Sequence, residues 1–329
     1  MKLAIYSTKP YERKYLESAN QGKHELSFFE EALSSETVYK ANGCDAISIF
    51  TNDDGSAEVL EIIKKLNIRS IAVRAAGYDN VDLKKATELN FKVANVPDYS
   101  PYSIAEHTAT LILALNRKVV QADHKVKDYN FLLDDLIGFD LNGKTVGIIG
   151  VGKIGGILAK IMNGFGCKVL GFDIKENKEY TEKYNLQYVS LDEMYQKADI
   201  ISLHAPLNEL TKYMINKESI NKMKDKVMIV NTGRGGLINT IDAIDALKSG
   251  KIGYLGLDVY EKEKGLFFYN HSADIMKDDV FARLLTFKNV IITGHQAFLT
   301  DNALKNIADT TIYNLDSWQT GSRSKNELC

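Results

Sequence analysis

Six residues near the middle of the chain, Gly150-Val151-Gly152-Lys153-Ile154-Gly155, have the spacing of a phosphate-binding turn. An apolar stretch at 146–149 precedes them and a helical pattern follows, so the turn joins a strand to a helix. Gly150 permits the tight turn, Gly152 lets the backbone approach a pyrophosphate, and Gly155 allows close helix–strand packing. The start of the helix adds unpaired N–H groups and the positive end of its dipole. The segment therefore predicts a dinucleotide site.

A carboxylate at the next predicted strand end supports the same interpretation. Asp173 follows that strand about 20 residues beyond Gly155, which is the usual offset for a side chain that binds the adenosine ribose. A negative charge at this position repels a 2′-phosphate. The sequence therefore predicts NAD rather than NADP as the cofactor.

Two histidines follow predicted strands of the same region and could transfer a proton. A nicotinamide cofactor moves a hydride, and reduction of a carbonyl also needs a proton donor and a cation that holds a polar substrate. His204 and His295 both stand where strand ends line the ligand crevice of an open α/β sheet. Their positions alone do not distinguish them. The other histidines lie in predicted helices or polar loops and are expected to be solvated or structural: His24, His107, His124 and His271.

Arg234 is the candidate cation for an anionic substrate. It follows an apolar strand and is flanked by Gly233 and Gly235, which leave room for a bidentate contact with a carboxylate. A catalytic histidine also needs an acidic group that orients it, and we expect this group in the segment 258–263. Three carboxylates in this segment are candidates for the role. These are Asp258, Glu261 and Glu263.

Short apolar stretches alternate with helical patterns along the chain, which predicts an α/β fold with parallel sheets. The predicted strands lie at 3–6, 46–50, 71–73, 91–94, 145–150, 169–172, 200–203, 228–231, 255–259 and 290–293. We expect two Rossmann-like or flavodoxin-like domains with an active-site cleft between them. Residues 1–100 with 299–329 would form the substrate domain, and residues 101–298 would form the NAD-binding domain. Two of the four prolines lie at 97–101, where we expect the domain boundary. A last predicted helix at 302–315 is long enough to cross back onto the first domain.

Composition excludes several other classes of protein. The 329 residues carry 41 Lys and Arg against 43 Asp and Glu, a net charge of −2, so nucleic acid and anionic membranes are not expected as partners. No apolar run approaches the ~20 residues of a membrane span, and the N-terminus reads as a strand rather than a signal peptide. Three cysteines without a CxxC pair predict neither disulfides nor a metal site. We expect a cytoplasmic enzyme.

Several motifs in a fixed order carry a family resemblance over essentially the whole chain. The chain resembles the D-isomer-specific 2-hydroxyacid dehydrogenases. The motifs are RAAGYDNVD at 74–82, VPDYSP at 96–101, AEH at 105–107, the glycine segment at 150–155, VNTGRG at 230–235, DVYE at 258–261 and GHQAF at 294–298. Many members have Pro where this chain has Gly294 and Ser where it has Gly233. The variant at 294–300 is similar to the fermentative lactate branch of the family.

The resemblance implies roles for individual residues. Arg234 would bind the substrate carboxylate, His295 would donate the proton in reduction, and Glu263 would pair with His295, which resolves the choice between the two histidines. The backbone N–H groups of Ala76 and Gly77 would bind the carboxylate, with Tyr99 and Phe298 near the substrate. The implied cofactor positions are Gly150, Gly152, Lys153, Ile154, Gly155, Asp173, His204, Ala205, Pro206, Thr232, Gly233 and Asp258.

The implied activity is NAD-dependent reduction of pyruvate to D-lactate by a homodimer or homotetramer. Two alternatives remain open at this point. The substrate could be another 2-keto acid, such as 2-ketobutyrate, hydroxypyruvate or glyoxylate, because the motif residues are shared across these activities. The chain could also be an NAD-sensing interaction protein without turnover, since such relatives of the family can keep the same residues.

Overall fold

Two parallel β-sheets organise the computed structural model, which describes residues 1–329. The chain divides into two units. The first unit contains residues 1–100 and 299–329, and the second contains residues 101–298. Each unit has its own sheet, so the predicted α/β class with two parallel-sheet domains is confirmed.

The first unit has a five-stranded sheet in the order β2-β1-β3-β4-β5, with all pairs parallel. The strands are β1 Lys2–Ile5, β2 Glu25–Phe28, β3 Ala46–Ile49, β4 Ser70–Val73 and β5 Lys92–Ala94. The helices are α1 Pro10–Asn20, α2 Ala57–Lys65, α3 Leu83–Glu88 and α12 Asp301–Gln319. Strands β3 and β4 are buried along their whole length, as expected of a parallel sheet that is covered on both faces.

The last helix of the chain completes the first unit. Helix α12 packs on α1, and Tyr15 Oη donates a 2.5 Å hydrogen bond to Asp301 Oδ1. Its buried side chains Leu315 and Trp318 share a core cluster with Leu3 and Ile5 of β1. The sheet of this unit therefore has one of its faces covered by residues from the far end of the sequence.

The second unit has a seven-stranded parallel sheet in the order β12-β11-β10-β9-β6-β7-β8. The strands are β6 Thr145–Ile149, β7 Lys168–Phe172, β8 Leu186–Tyr188, β9 Ile200–Leu203, β10 Val227–Asn231, β11 Ile252–Leu257 and β12 Val290–Ile292. The helices are α4 Pro101–Arg117, α5 Val119–Lys127, α6 Lys153–Gly164, α7 Lys178–Tyr184, α8 Leu191–Lys197, α9 Lys217–Lys222, α10 Thr240–Ser249 and α11 Asp279–Leu285. The strand order reverses between β6 and β9, which is where doubly wound sheets bind ligands.

The structure adds elements that the sequence patterns did not predict. Strands β2 and β8 were missed, and both lie at the edge of a sheet, where only a short and partly polar stretch is needed. None of the helices combines the length and the apolar character that crossing a bilayer requires.

Candidate active site

His295 lies on the loop that follows β12 and pairs with Glu263. Its Nδ1 atom is 2.8 Å from Oε1 of Glu263, and the two side chains are 18% and 19% exposed. A carboxylate can only accept, so Nδ1 carries the proton of this hydrogen bond and Nε2 is left for a substrate. The other oxygen of Glu263 accepts a 3.1 Å hydrogen bond from the backbone N–H of Tyr260. The centre of the Phe268 ring lies 5.8 Å from the centre of the imidazole ring.

The other two acidic candidates make different contacts. Glu261 accepts a 2.7 Å hydrogen bond from Tyr213 Oη and a 3.3 Å hydrogen bond from the backbone N–H of Thr240. Asp258 accepts hydrogen bonds from the loop around His295. Of the three carboxylates that the sequence left in competition, the structure brings Glu263 to the imidazole.

Asp258 fixes the backbone of the loop that presents His295. His295 has a φ of 55°, a left-handed conformation that is uncommon for a residue with a side chain and is maintained only by its surroundings. The Asp258 carboxylate accepts 2.9 Å hydrogen bonds from the N–H groups of Gln296 and Ala297, and its backbone oxygen accepts one of 2.7 Å from the N–H of His295. Thr293 Oγ1 donates a further bond of 2.5 Å to Oδ1.

Helix α4 reaches the same loop through His107. Its Nε2 atom lies 3.0 Å from Thr293 Oγ1 and 3.4 Å from Oδ1 of Asp258. Burial by itself would raise the pKa of Asp258, but the hydrogen bonds from His107, Thr293 and two backbone N–H groups lower it below the ordinary value. Asp258 is therefore ionised although its side chain has no exposed surface. The sequence expectation that His107 is structural agrees with this position.

We expect Asp258→Asn to lower the free energy of unfolding by about 2–3 kcal/mol. The new amide NH2 group would face O–H and N–H groups that now donate to the Asp258 carboxylate, so a donor would meet a donor. Urea denaturation measures this change. Asp225→Asn is the matched control: Asp225 is 87% exposed and pairs with Lys251 at 2.9 Å, so its replacement should leave the free energy of unfolding nearly unchanged. Equal effects of the two substitutions would contradict the role of Asp258.

Arg234 stands in a turn after β10 that is shaped by Asn231. The Asn231 side chain accepts a 3.0 Å hydrogen bond from the N–H of Gly233 and donates one of 2.9 Å to the carbonyl of Arg234. Gly235 cannot be replaced without movement, because an added Cβ would lie 2.1 Å from the carbonyl carbon of Tyr260. The turn thus holds a half-buried guanidinium, whose fork suits a carboxylate.

The glycine segment joins β6 to α6 at the reversal of strand order. Gly150 has a φ of +91°, and an added Cβ would lie 2.5 Å from the carbonyl carbon of His204 after β9. A Cβ on Gly155 would lie 2.2 Å from the carbonyl oxygen of Gly150, whereas one on Gly152 would meet nothing within 4 Å. The backbone therefore packs tightly at two glycines and leaves open space at the middle one.

The remaining predicted cofactor residues lie around the same strand ends. Asp173 Oδ2 accepts a 2.6 Å hydrogen bond from the N–H of Val151, which ties the carboxylate to the glycine segment. Thr232 is buried with its Oγ1 2.8 Å from Oγ1 of Thr108. Lys153 and Ile154 begin α6, Ala205 is buried, Pro206 is exposed, and Gly233 is half-buried.

The predicted substrate residues fall in both units. Ala76 and Gly77 form a half-buried loop after β4 of the first unit. Tyr99 belongs to the same unit, and its carbonyl oxygen accepts a 2.6 Å hydrogen bond from Nδ2 of Asn306. Phe298 is 7% exposed in the second unit. Their contact with a substrate remains a prediction.

Residues 109–297 match the family model described as the D-isomer specific 2-hydroxyacid dehydrogenase, NAD binding domain. The chain belongs to this family. It is 47% identical over 329 residues to the D-lactate dehydrogenase of Escherichia coli strain K12, covering all of both chains. The apo-structure of D-lactate dehydrogenase from Escherichia coli superposes with a TM-score of 0.91 at 45% identity, again over 100% of each chain.

Another relative has been solved with ligands. The structure of D-lactate dehydrogenase from Aquifex aeolicus complexed with NAD and lactic acid has a TM-score of 0.89 and 32% identity. It covers 99% of this chain and 98% of the other. These similarities extend over both units of the chain.

The second unit of this 2-hydroxyacid dehydrogenase fits the NAD that its family binds. The open space at Gly152 permits close approach of a pyrophosphate to backbone N–H groups at the start of α6. Asp173 lies beside this segment through its bond to Val151, so its negative charge stands where it disfavours a 2′-phosphate. The predicted cofactor is confirmed as NAD.

His204, at the end of β9 in this NAD-binding domain, is held uncharged. Its Nε2 atom is 2.8 Å from Ser202 Oγ, and removal of solvent from the ring lowers its pKa to about 4. An unfolded chain binds a proton at this histidine below about pH 6.5. The folded protein resists this protonation, so the residue contributes stability above about pH 6.5 that is lost as the pH falls toward 4.

We therefore expect His204→Gln to reduce the loss of stability on acidification. Between pH 7 and pH 5 the free energy of unfolding should fall less in the variant than in the unmodified protein, as measured by urea denaturation. His124→Gln is the control, since it removes an exposed histidine of α5 and keeps His204 in place, and it should not reduce the loss of stability as His204→Gln does. A His204→Gln protein with the original pH dependence would contradict this account.

Proposed function

We propose that this chain catalyses the NAD-dependent, reversible reduction of pyruvate to D-lactate. The observation that carries the proposal is the 2.8 Å contact between His295 Nδ1 and Glu263 Oε1, an acid–base pair in a chain that is 47% identical to a D-lactate dehydrogenase over its full length. The ligands of the Aquifex aeolicus relative, NAD and lactic acid, are those of the proposed reaction.

Arg234 binds and orients the substrate. Its guanidinium forms a bidentate hydrogen-bonded ion pair with the substrate carboxylate and draws electron density from the adjacent carbonyl group. The backbone N–H groups of Ala76 and Gly77 provide further hydrogen bonds to the carboxylate. The bound cofactor supplies the hydride when it is in its reduced form.

His295 donates the proton that reduction requires. In the protonated imidazole, Nδ1 stays on Glu263 and Nε2 carries the proton that moves to the carbonyl oxygen of the substrate. The Glu263 carboxylate fixes the ring orientation and stabilises the positive charge before the transfer. In the oxidation of a hydroxy acid, the neutral Nε2 accepts the hydroxyl proton instead.

The test is oxidation of NADH with pyruvate, followed by chiral identification of the lactate that forms. We expect D-lactate, and a higher kcat/KM for pyruvate than for 2-ketobutyrate, phenylpyruvate, hydroxypyruvate or glyoxylate. A preference for one of these acids would overturn the choice of substrate. Tight NADH binding without turnover of any of them would support an NAD-sensing interaction protein instead.

We also propose that the enzyme is a homodimer or homotetramer in the cytoplasm. A band of large apolar side chains is exposed on α5 and the segment that follows it, which supports self-association. This band consists of Val119, Val120, Val126, Tyr129, Phe131, Leu132, Leu133 and Ile137. Sedimentation velocity tests the assembly, and a monomer at micromolar concentration would contradict it.

The proposed cytoplasmic location is supported by the three free cysteines, which are compatible with a reducing compartment.

A further inference from the structure

The loop after β4 presents several backbone donors that the protein does not use. The N–H groups of Ala76, Gly77 and Tyr78 donate no hydrogen bond to any protein atom. Ala76 and Gly77 are half-buried, so their polar groups are only partly open to water. Partly buried N–H groups of this kind can donate to water or to a ligand, and neighbouring N–H groups are suited to an anion.

The Asn95 side chain holds the central peptide of this loop. Its Nδ2 atom donates a 2.8 Å hydrogen bond to the carbonyl oxygen of Ala76, and the residue is 5% exposed. Only the amide nitrogen can make this contact, because a carbonyl oxygen accepts and cannot donate. The orientation of the Asn95 amide is therefore fixed by chemistry.

The carbonyl of Ala76 and the N–H of Gly77 belong to the same peptide unit. The chain contains no cis peptide bond, so the two groups point in opposite directions within one plane. A hydrogen bond that fixes the carbonyl of Ala76 consequently fixes the direction of the N–H of Gly77. The same bond polarises the peptide and makes that N–H a stronger donor.

Asn95 is itself held by residues from the end of the chain. Its backbone oxygen accepts a 3.2 Å hydrogen bond from Nδ2 of Asn314, which is fully buried on α12. Oδ1 of Asn314 accepts bonds of 2.7 Å from Ser324 Oγ and 2.9 Å from Asn326 Nδ2. This connected set of buried polar groups leaves the Asn95 backbone little freedom, so its side chain is a rigid support for the Ala76 carbonyl.

We propose that Asn95 is a positioning residue for binding of the substrate carboxylate. It aims and polarises the N–H of Gly77 through the carbonyl of Ala76, and it does not touch the substrate. This inference rests on the proposed function, in which the N–H groups of Ala76 and Gly77 bind the carboxylate of a 2-keto acid.

The test compares Asn95→Asp with Asn20→Asp in the full-length enzyme. An aspartate at 95 keeps the shape of the side chain but, when ionised, cannot donate to the Ala76 carbonyl. Asn20 is a matched site in the same unit: it is 5% exposed, and its Nδ2 donates a 2.8 Å hydrogen bond to the backbone oxygen of His24. Both substitutions therefore place a carboxylate against a backbone carbonyl, but only the first does so at the substrate loop.

We expect Asn95→Asp to raise KM for pyruvate and Ki for oxamate, an unreactive carboxylate analogue, by at least about tenfold. The decrease in kcat should be smaller, and the Kd of NADH, measured by fluorescence, should not change. Asn20→Asp should keep KM and Ki near their original values even where it lowers the melting temperature. Loss of carboxylate affinity without loss of cofactor affinity is a result that general destabilisation does not give.

An unchanged KM and Ki in Asn95→Asp, or equal changes in Asn20→Asp, would overturn the inference. If Asn95→Asp does not fold, Asn95→Ala removes the donor without adding a charge and must show the same selective rise. Failure of the proposed function is distinguishable, because the unmodified enzyme would then lack turnover of every 2-keto acid before any variant is made.

Discussion

Replacement of His295 by glutamine is expected to lower kcat for keto-acid reduction by about 10²–10⁴-fold and to leave NADH affinity unchanged. Glutamine can still form a hydrogen bond to Glu263, but it cannot deliver a proton to a developing alkoxide. Steady-state oxidation of NADH at saturating pyruvate measures kcat, and fluorescence titration measures binding of the cofactor.

His271→Gln provides the control for this substitution. His271 also pairs with a carboxylate, through Nδ1 at 2.8 Å from Oδ2 of Asp274, but its Nε2 atom lies 3.2 Å from the backbone oxygen of Gly265 and is not left for a substrate. Its replacement should leave kcat unchanged. Near-normal turnover of His295→Gln, or equal losses in both variants, would refute the assignment of the proton donor.

Replacement of Arg234 by glutamine is expected to lower kcat/KM for pyruvate by about 10³-fold, because two charge-assisted hydrogen bonds to the carboxylate are lost. Arg234→Lys should be intermediate, since it keeps the charge but loses the planar fork. Steady-state kinetics with each variant measures the loss, and the Kd of NADH should stay at its original value.

Arg283→Gln serves as the control for Arg234→Gln. The Arg283 guanidinium lies 4.9 Å from the centre of the Phe287 ring on the outside of the second unit, so its loss should not affect the kinetics. A kcat/KM in Arg234→Gln within a few-fold of the original would contradict binding of the carboxylate by this side chain.

The sequence was sufficient to predict the dinucleotide site because its signal is local. Strand, glycines and helix follow one another at 146–162, and each glycine has a geometric reason that the structure also displays, from the +91° φ of Gly150 to the close approach at Gly155. The offset to Asp173 depends only on the length of one strand–helix–strand unit. Features of this kind need no knowledge of long-range contacts.

The partners of His295 could not be derived from spacing. Asp258, Glu261 and Glu263 lie within six positions of one another, and their different contacts depend on how the segment after β11 folds against distant residues such as Tyr213 and Thr293. Resemblance to a family selected Glu263, which contacts the imidazole in the structure. Resemblance also placed Asp258 on the cofactor side. That contact remains a prediction, while the observed hydrogen bonds of its carboxylate go to the histidine loop and its supports.

The support of the substrate loop was also beyond the sequence. No local pattern indicates a function for Asn95, which is a single amide residue before Val96 and Pro97. Its partner Asn314 lies more than 200 positions away. Edge strands β2 and β8 were missed for a related reason, because a short strand with one neighbour needs little apolar content. In these cases the deciding interactions connect segments that no local pattern relates.

The return of α12 to the first unit has a consequence for synthesis on the ribosome. The nascent chain produces β1 to β5 early, but the core around Leu3 and Ile5 also needs Ile312 and Leu315, which are made only after the whole second unit. The second unit is one continuous stretch of chain, so it can fold while the first unit still lacks residues 299–329. We therefore expect the second unit to fold before the first, although it is synthesised later. Until α12 has been made, the apolar surface of β1 to β5 is the part that chaperones must protect.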